Sequence, residues 1–207
     1  MNMMKKNSSF VVAMIPAGIA LNWVANSIVE MLKLPLFLNN IGTVLNAIVL
    51  GPLWGGATAL MTNVILALIV RWTYIPFALV GILVAFLSYF FYKKGWFKKG
   101  WKVVVSGAFT GIVASALATV VSVYVFGGFS GHTVDVLTAG LIASGQQIFN
   151  AAFIANIPGT VADKVLTFWI VWMILKIFPV RFLPNAKDIR EKIGMGKKNN
   201  SGKKISA

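Results

Sequence analysis

The sequence predicts an all-α membrane protein: a bundle of six transmembrane helices with the N- and C-termini in the cytoplasm. Three observations predict it. Hydrophobic residues make up 58% of the 207 and charged residues only 12%, about half the charge that a water-soluble surface carries. The apolar residues fall in runs suited to a hydrocarbon core of ~30 Å, which takes about 20 residues at ~1.5 Å each. The 19 Lys and Arg, against five Asp and Glu, gather between alternate runs, as loops kept on the cytoplasmic side do. In a soluble chain a net charge of +14 would point to nucleic acid. With this apolar excess it points to a basic cytoplasmic face beside a lipid bilayer, and no nucleic-acid partner is expected.

The first run, Phe10–Leu32, is flanked by Lys5, Lys6 and Lys33. It outlasts the apolar stretch of a signal peptide, so it is expected to stay as a span. The second, Ile41–Leu50, stops at Gly51-Pro52, where proline's missing N–H and the restriction on the residue before it break a helix. The third, Leu53–Val70, ends at Arg71. The fourth, Tyr74–Tyr92, runs into a Trp- and Lys-rich interfacial stretch, Lys93–Lys102. The fifth, Val103–Phe126, is closed by Gly127-Gly128. The sixth, Val165–Phe178, is expected to begin near Pro158 and is followed by Pro179.

Between the fifth and sixth lies Ser130–Asn156. Gln146 and Gln147 in its middle would be costly facing lipid without partners. The segment reads as an extracellular loop with a short amphipathic helix rather than a seventh span. Six spans place sixteen of the 19 basic residues inside and leave Lys33, Arg71 and Lys164 outside. Seven would put the nine basic residues from Lys176 onward outside, against the positive-inside rule. The chain divides into a cytoplasmic N-terminus (1–9), a transmembrane substrate-binding domain (10–180) and a basic cytoplasmic tail (181–207). The tail is rich in Asn, Gly, Ser and Lys and is expected to be disordered at its end.

No enzyme is expected. The chain has no cysteine and one histidine, His132, which leaves no thiolate chemistry, no Cys-ligated metal and no His-rich metal site. The phosphate-cradling G-x-x-x-x-G-K-[ST], the G-x-S-x-G elbow and H-E-x-x-H are all absent from the sequence. What the spans do carry is amides. Asn22, Asn46 and Asn63 fall near the midpoints of the first three runs, where each needs hydrogen-bond partners and so faces the bundle interior. They read either as glue between helices or as groups reaching a ligand cavity.

A second polar shell lies at the outer ends: Asn26, Glu30, Asn39, Asn40, Arg71, Trp72 and Tyr74, with Gln146, Gln147, Asn150 and Asn156 from the loop. Amides beside aromatic rings suit a small, polar, ring-containing solute, by stacking and by edge hydrogen bonds. Asp163-Lys164, expected at the mouth of the last helix, is a further candidate, either functional or an interfacial pair favouring the helix dipole. Small residues at four-residue spacing let helices approach closely. They occur at Ala13 and Ala17, at Gly107, Gly111 and Ser115, and at Gly55 and Ala59, and are candidates for a protein docking surface.

Four features resemble the substrate-binding S component of energy-coupling factor (ECF) vitamin transporters. They are the small-residue first helix Ala13–Ala17, the stretch Leu36–Gly56 with its Gly-Pro-Leu-Trp-Gly turn, the opening Pro158–Lys164 of the last helix, and the basic loop after the fourth helix. Together they cover most of residues 10–180, and the Gly-Pro-Leu-Trp-Gly region is the most specific. The resemblance implies a six-helix bundle that binds a vitamin or precursor at its extracellular side, with pyridoxine, a hydroxymethylpyrimidine and riboflavin as candidates in that order. It implies that Ala13 and Ala17 dock a transmembrane T component driven by two ATP-binding subunits, so that ATP is used by the partners and this chain needs no cofactor. Pro16 between those alanines departs from the usual pattern and is expected to kink the first helix. Two other readings stand beside it: a self-sufficient secondary transporter with Asp163 carrying a coupling proton, and a ligand-free membrane assembly protein whose asparagines are only glue.

Overall fold

Apolar runs bounded by Gly, Pro and Lys fold as helices here, and among the described residues every regular element is helical. A computed structural model describes residues 8–177 and 186–195. Expectations for Lys5 and Lys6, for Pro179 and for the end of the tail lie outside the described residues. The helices are α1 (Ser8–Met31), α2 (Ile41–Leu50), α3 (Pro52–Ile69), α4 (Tyr74–Lys93), α5 (Gly100–Phe126), α6 (Val134–Ala143), α7 (Ile148–Ile177) and α8 (Ala186–Lys192), with a 3-10 turn at Trp96–Lys98. Among the described residues, four segments are long and apolar enough to cross a membrane: Phe10–Met31, Pro52–Ile69, Tyr74–Lys93 and Gly100–Phe126. Many of their large apolar side chains point outward, Leu68 at 83% exposure among them, which is the exterior of an all-α protein embedded in lipid. α2 has 10 residues, about 15 Å of helix, roughly half a hydrocarbon core.

Small residues are where the helices cross. A Cβ on Gly42 would collide with the backbone of Gly18, one on Gly55 would lie 2.8 Å from Ala47 Cα, and those on Gly107 and Gly111 would lie 2.8 and 2.6 Å from Val165 and Val161 Cα. The Gly107–Gly111 and Gly55 faces are therefore spent inside the bundle, on α7 and α2, and are corrected as docking surfaces. Ala13 and Ala17, by contrast, are exposed on α1. Gly42→Ala is expected to push α1 and α2 apart and to destabilise by about 1–3 kcal/mol, the cost of overpacking. A melt of the purified variant checks this.

Two of the three mid-helix asparagines are glue, although not to one another. Asn22 Nδ2 donates to Thr43 Oγ1 and Thr62 Oγ1, both at 3.0 Å, and its Oδ1 accepts from Gly42 N at 2.7 Å. Asn46 Nδ2 donates to Met14 O and Thr58 Oγ1, both at 2.9 Å. Each amide joins α1, α2 and α3. This satisfies the whole Asn22 amide and the Asn46 NH₂ where lipid could not, and leaves Asn46 Oδ1 buried without a partner.

Two boundaries differ from the sequence expectation. The last helix starts at Ile148 and runs through Pro158, so Asp163 and Lys164 sit mid-helix and buried, not at a helix mouth. Proline gives up one backbone bond inside a helix, and packing against α5 along the Gly107–Gly111 face holds α7 together regardless. The tail is also not wholly free. Ile189 of α8 and Ile193 just after it are buried in the core, Tyr92 Oη donates to Asp188 at 2.9 Å, and Lys192 Nζ donates to Lys93 O at 3.1 Å. This closes the end of the bundle that holds the α2–α3 and α4–α5 turns.

Candidate functional site

At the opposite end three connections converge: residues 32–40 between α1 and α2, residues 70–73 between α3 and α4, and residues 127–133 between α5 and α6. Arg71 ties them. Its Nη2 grips Glu30 at the end of α1, at 2.7 and 2.6 Å, and its Nη1 donates to Gly131 O. Glu30 also accepts from Tyr74 Oη at 2.8 Å, and the same hydroxyl lies 3.3 Å from Asn26 Oδ1. Asn26 and Glu30 thus stand behind Tyr74 and fix its ring.

Beneath this tie lies a cavity of ≈ 50 Å³ lined by Phe37, Asn39, Asn40, Asn63, Tyr74, Phe77, Gly81, Ser122, Ser130, His132, Asp135, Asn156, Thr160 and Lys164 among others. Six of the twelve residues expected to bind a solute are on that wall: Asn39, Asn40, Asn63, Tyr74, Asn156 and Lys164. The structure places Trp72, Gln146, Gln147 and Asn150 off that wall. Trp72 is 66% exposed and packs on Phe126 at 5.4 Å, outside the cavity. Gln146 and Gln147 occupy the α6–α7 turn and Asn150 the first turn of α7, all exposed. Gly145, at φ 93°, makes that turn, so their amides meet the surroundings rather than the wall.

The polar atoms on the wall are the informative part. Asn40 Oδ1, Asn63 Oδ1 and Thr160 Oγ1 are buried with no hydrogen-bond partner in the protein. Such groups are rare in folded chains and costly. Asn63 Nδ2 donates to Ala59 O at 2.8 Å and Asn156 Nδ2 to Ala152 O at 2.8 Å. A backbone carbonyl only accepts, so both amides turn their NH₂ to the helix and their carbonyl oxygens away from it. Asn40 Nδ2 donates to Asn39 Oδ1 at 2.5 Å. Gly81 keeps the approach open, because a Cβ there would come within 3.3 Å of Asn40 Oδ1 and 3.6 Å of Asn63 Nδ2. The wall is thus rich in acceptors beside aromatic faces.

Asp163 positions the loop that carries Phe37. Its Oδ1 accepts from Phe37 N at 3.2 Å and Leu38 N at 2.6 Å, and its Oδ2 pairs with Lys164 Nζ. Leu38, at φ 44°, holds a left-handed conformation that a non-glycine residue rarely adopts, and the carboxylate stabilises it there. Lys164 has two further N–H donors for the cavity.

Sequence reasoning missed His132. It was weighed only as a metal ligand, yet its ring sits among Phe37, Tyr74 and Phe77. Burial, and secondarily the Arg71 guanidinium, lower its pKa to about 4, so the imidazole is neutral at physiological pH. Burial raises the Asp135 carboxyl, against opposing backbone bonds from Gly131, His132 and Ser130 and the charge of Arg71. The usable signal was the glycine-rich stretch Gly127–Gly131 leading into a polar residue. Among the described residues no three of His, Cys, Asp and Glu come together as metal ligands.

A larger groove of ≈ 240 Å³ lies at the α8 end, lined by Trp54, Tyr89, Tyr92, Lys93 and Asp188 among others. None of the unpartnered buried atoms lies on it, so the smaller cavity is the candidate. Comparison with known protein families, with characterised proteins and with solved structures found no match to this chain.

Proposed function

We propose that this chain is the membrane-embedded substrate-binding subunit of an ECF-type importer, capturing a small, ring-containing, vitamin-like solute from outside the cell. In this reading the polypeptide crosses a bacterial plasma membrane six times with both termini inside. α2 and the connection before it together make the second crossing, and α7 the last. One observation carries the proposal: a cavity wall on which unpartnered buried acceptors of Asn40 and Asn63 lie beside the rings of Phe37, Tyr74 and Phe77. Buried acceptors cost stability unless something bonds to them, and a solute with N–H or O–H donors on an aromatic ring satisfies both features of the wall. Pyridoxine and hydroxymethylpyrimidine have that chemistry.

The sequence has no phosphate-cradling motif, so the energy would come from ATP hydrolysed by two partner subunits through a transmembrane T component. The exposed Ala13 and Ala17 on α1 offer that component a smooth surface. A panel of vitamins and precursors, screened by thermal melting of protein in lipid nanodiscs, is expected to give at least one stabilising ligand at micromolar concentration. No stabilisation by any member sinks the proposal. A proton-coupled carrier using Asp163 is less well supported, because both its oxygens are already engaged by Phe37, Leu38 and Lys164. Proton-driven uptake by vesicles holding this chain alone would favour that rival.

A further inference from the structure

We infer that the cage of Phe37, Tyr74 and Phe77 is the ring subsite of the cavity, and that His132 is its built-in occupant, displaced when a planar aromatic solute binds. The inference rests on reading the cavity as a solute site, but its test does not need the natural solute. Each cage ring meets the imidazole edge-to-face, with centroids 5.4, 5.3 and 5.4 Å away and planes at 72°, 78° and 84°. That is the favoured geometry for a small aromatic ring among others.

Two facts make this occupant replaceable. The imidazole hydrogen-bonds within its own loop, between Nδ1 and Ser130 Oγ at 2.9 Å, and makes no bond to the unpartnered acceptors of Asn40 and Asn63. A solute ring bearing donors would match the packing and add those bonds. The loop is also jointed, with Gly127, Gly128 and Gly131 at φ 62°, 93° and 83°, conformations open to glycine and strained for other residues.

Size points the same way. The ≈ 50 Å³ of open space is a few waters' worth, at about 10–15 Å³ each, too little for a substituted six-membered ring. Taking the imidazole out of the cage supplies the missing room beside the acceptors. His132 therefore acts both as a plug that keeps the cage dry and as a filter that admits flat aromatic rings.

The test is chemical rescue in nanodiscs. His132→Ala leaves a ring-shaped gap, and free imidazole at tens of millimolar is expected to raise its melting temperature by several degrees while leaving wild type unmoved. Tetrahydrofuran, of similar size but saturated, is expected to do less. His132→Phe, which keeps a ring in the cage, is expected to melt near wild type and to ignore imidazole. Should His132→Ala not survive purification, the rescue is read as recovery of monodisperse protein in imidazole. Imidazole moving the alanine variant no more than wild type, or failing to recover it, overturns the inference. A rescue combined with no vitamin binding to wild type would keep the ring subsite and dismiss the import reading. Vitamin binding without rescue would do the reverse.

Discussion

Asp163→Asn lowers the melting temperature of the purified protein by about 6–20 °C. The substitution keeps an oxygen for the Phe37 and Leu38 amides but strips Lys164, which is 2% exposed, of its counter-charge. Breaking a buried ion pair from one side costs about 3–5 kcal/mol, and a chain of this size loses roughly 2–4 °C per kcal/mol. The partner substitution distinguishes charge from shape. Asp163→Asn with Lys164→Met removes both charges while retaining the backbone acceptor, and is expected to recover to within about 1 kcal/mol of wild type, since neutral replacement of buried pairs is often tolerated. Asp163→Asn melting like wild type would contradict a stabilising Asp163–Lys164 charge pair.

The second large effect falls on binding and runs opposite to stability. Asn63→Ala and Asn40→Ala each remove an unpartnered buried carbonyl. The ligand-free protein is therefore expected to be as stable as wild type or slightly more so. Affinity for the solute is expected to fall about tenfold to a hundredfold, because a donor on the bound ligand is left unmatched at about 1–3 kcal/mol. Asn46→Ala is the contrasting case: its Oδ1 is also unpartnered, but it lies off the cavity wall and its NH₂ spans Met14 O on α1 and Thr58 Oγ1 on α3, so it should lose stability and leave binding alone. Paired melting and titration curves of the three variants separate the roles. If Asn63→Ala destabilises the free protein as Asn46→Ala does, Asn63 is glue as well.

The helix ends that charge, Gly and Pro mark were legible in the sequence, and those set by packing were not. Gly51-Pro52, Arg71, the Lys93–Lys102 stretch and Gly127 each end a run where local chemistry requires it, and α2 to α5 begin or stop within a few residues of them. Pro158 misled because its local preference to start a helix is overridden by contact with α5, which carries α7 back to Ile148. α8 was invisible because seven residues with one inward isoleucine give too weak a period to stand out from a basic tail.

In the site, buried amides declared themselves by type, since an Asn within an apolar run must find partners. Their division did not: Asn22 and Asn46 meet threonines one helix away, whereas Asn63 turns to its own helix and frees its oxygen. Gln146, Gln147 and Asn150 look equivalent to Asn156 in one dimension. Only the turn at Gly145 and the helix register put the first three outside and Asn156 on the wall. His132 was legible as a residue but not as a ring among rings, because Phe37, Tyr74 and Phe77 lie far from it along the chain.

The small-molecule content of the purified protein tests most directly whether this wall holds a small solute. Wild type and an Asn40→Ala/Asn63→Ala double variant, purified alike from cells in rich medium, are denatured, and the released compounds are compared by mass spectrometry. A polar, aromatic-ring compound in near-stoichiometric amount is expected from wild type, and its loss from the variant. The same compounds from both proteins, or none from either, would contradict a solute site on this wall.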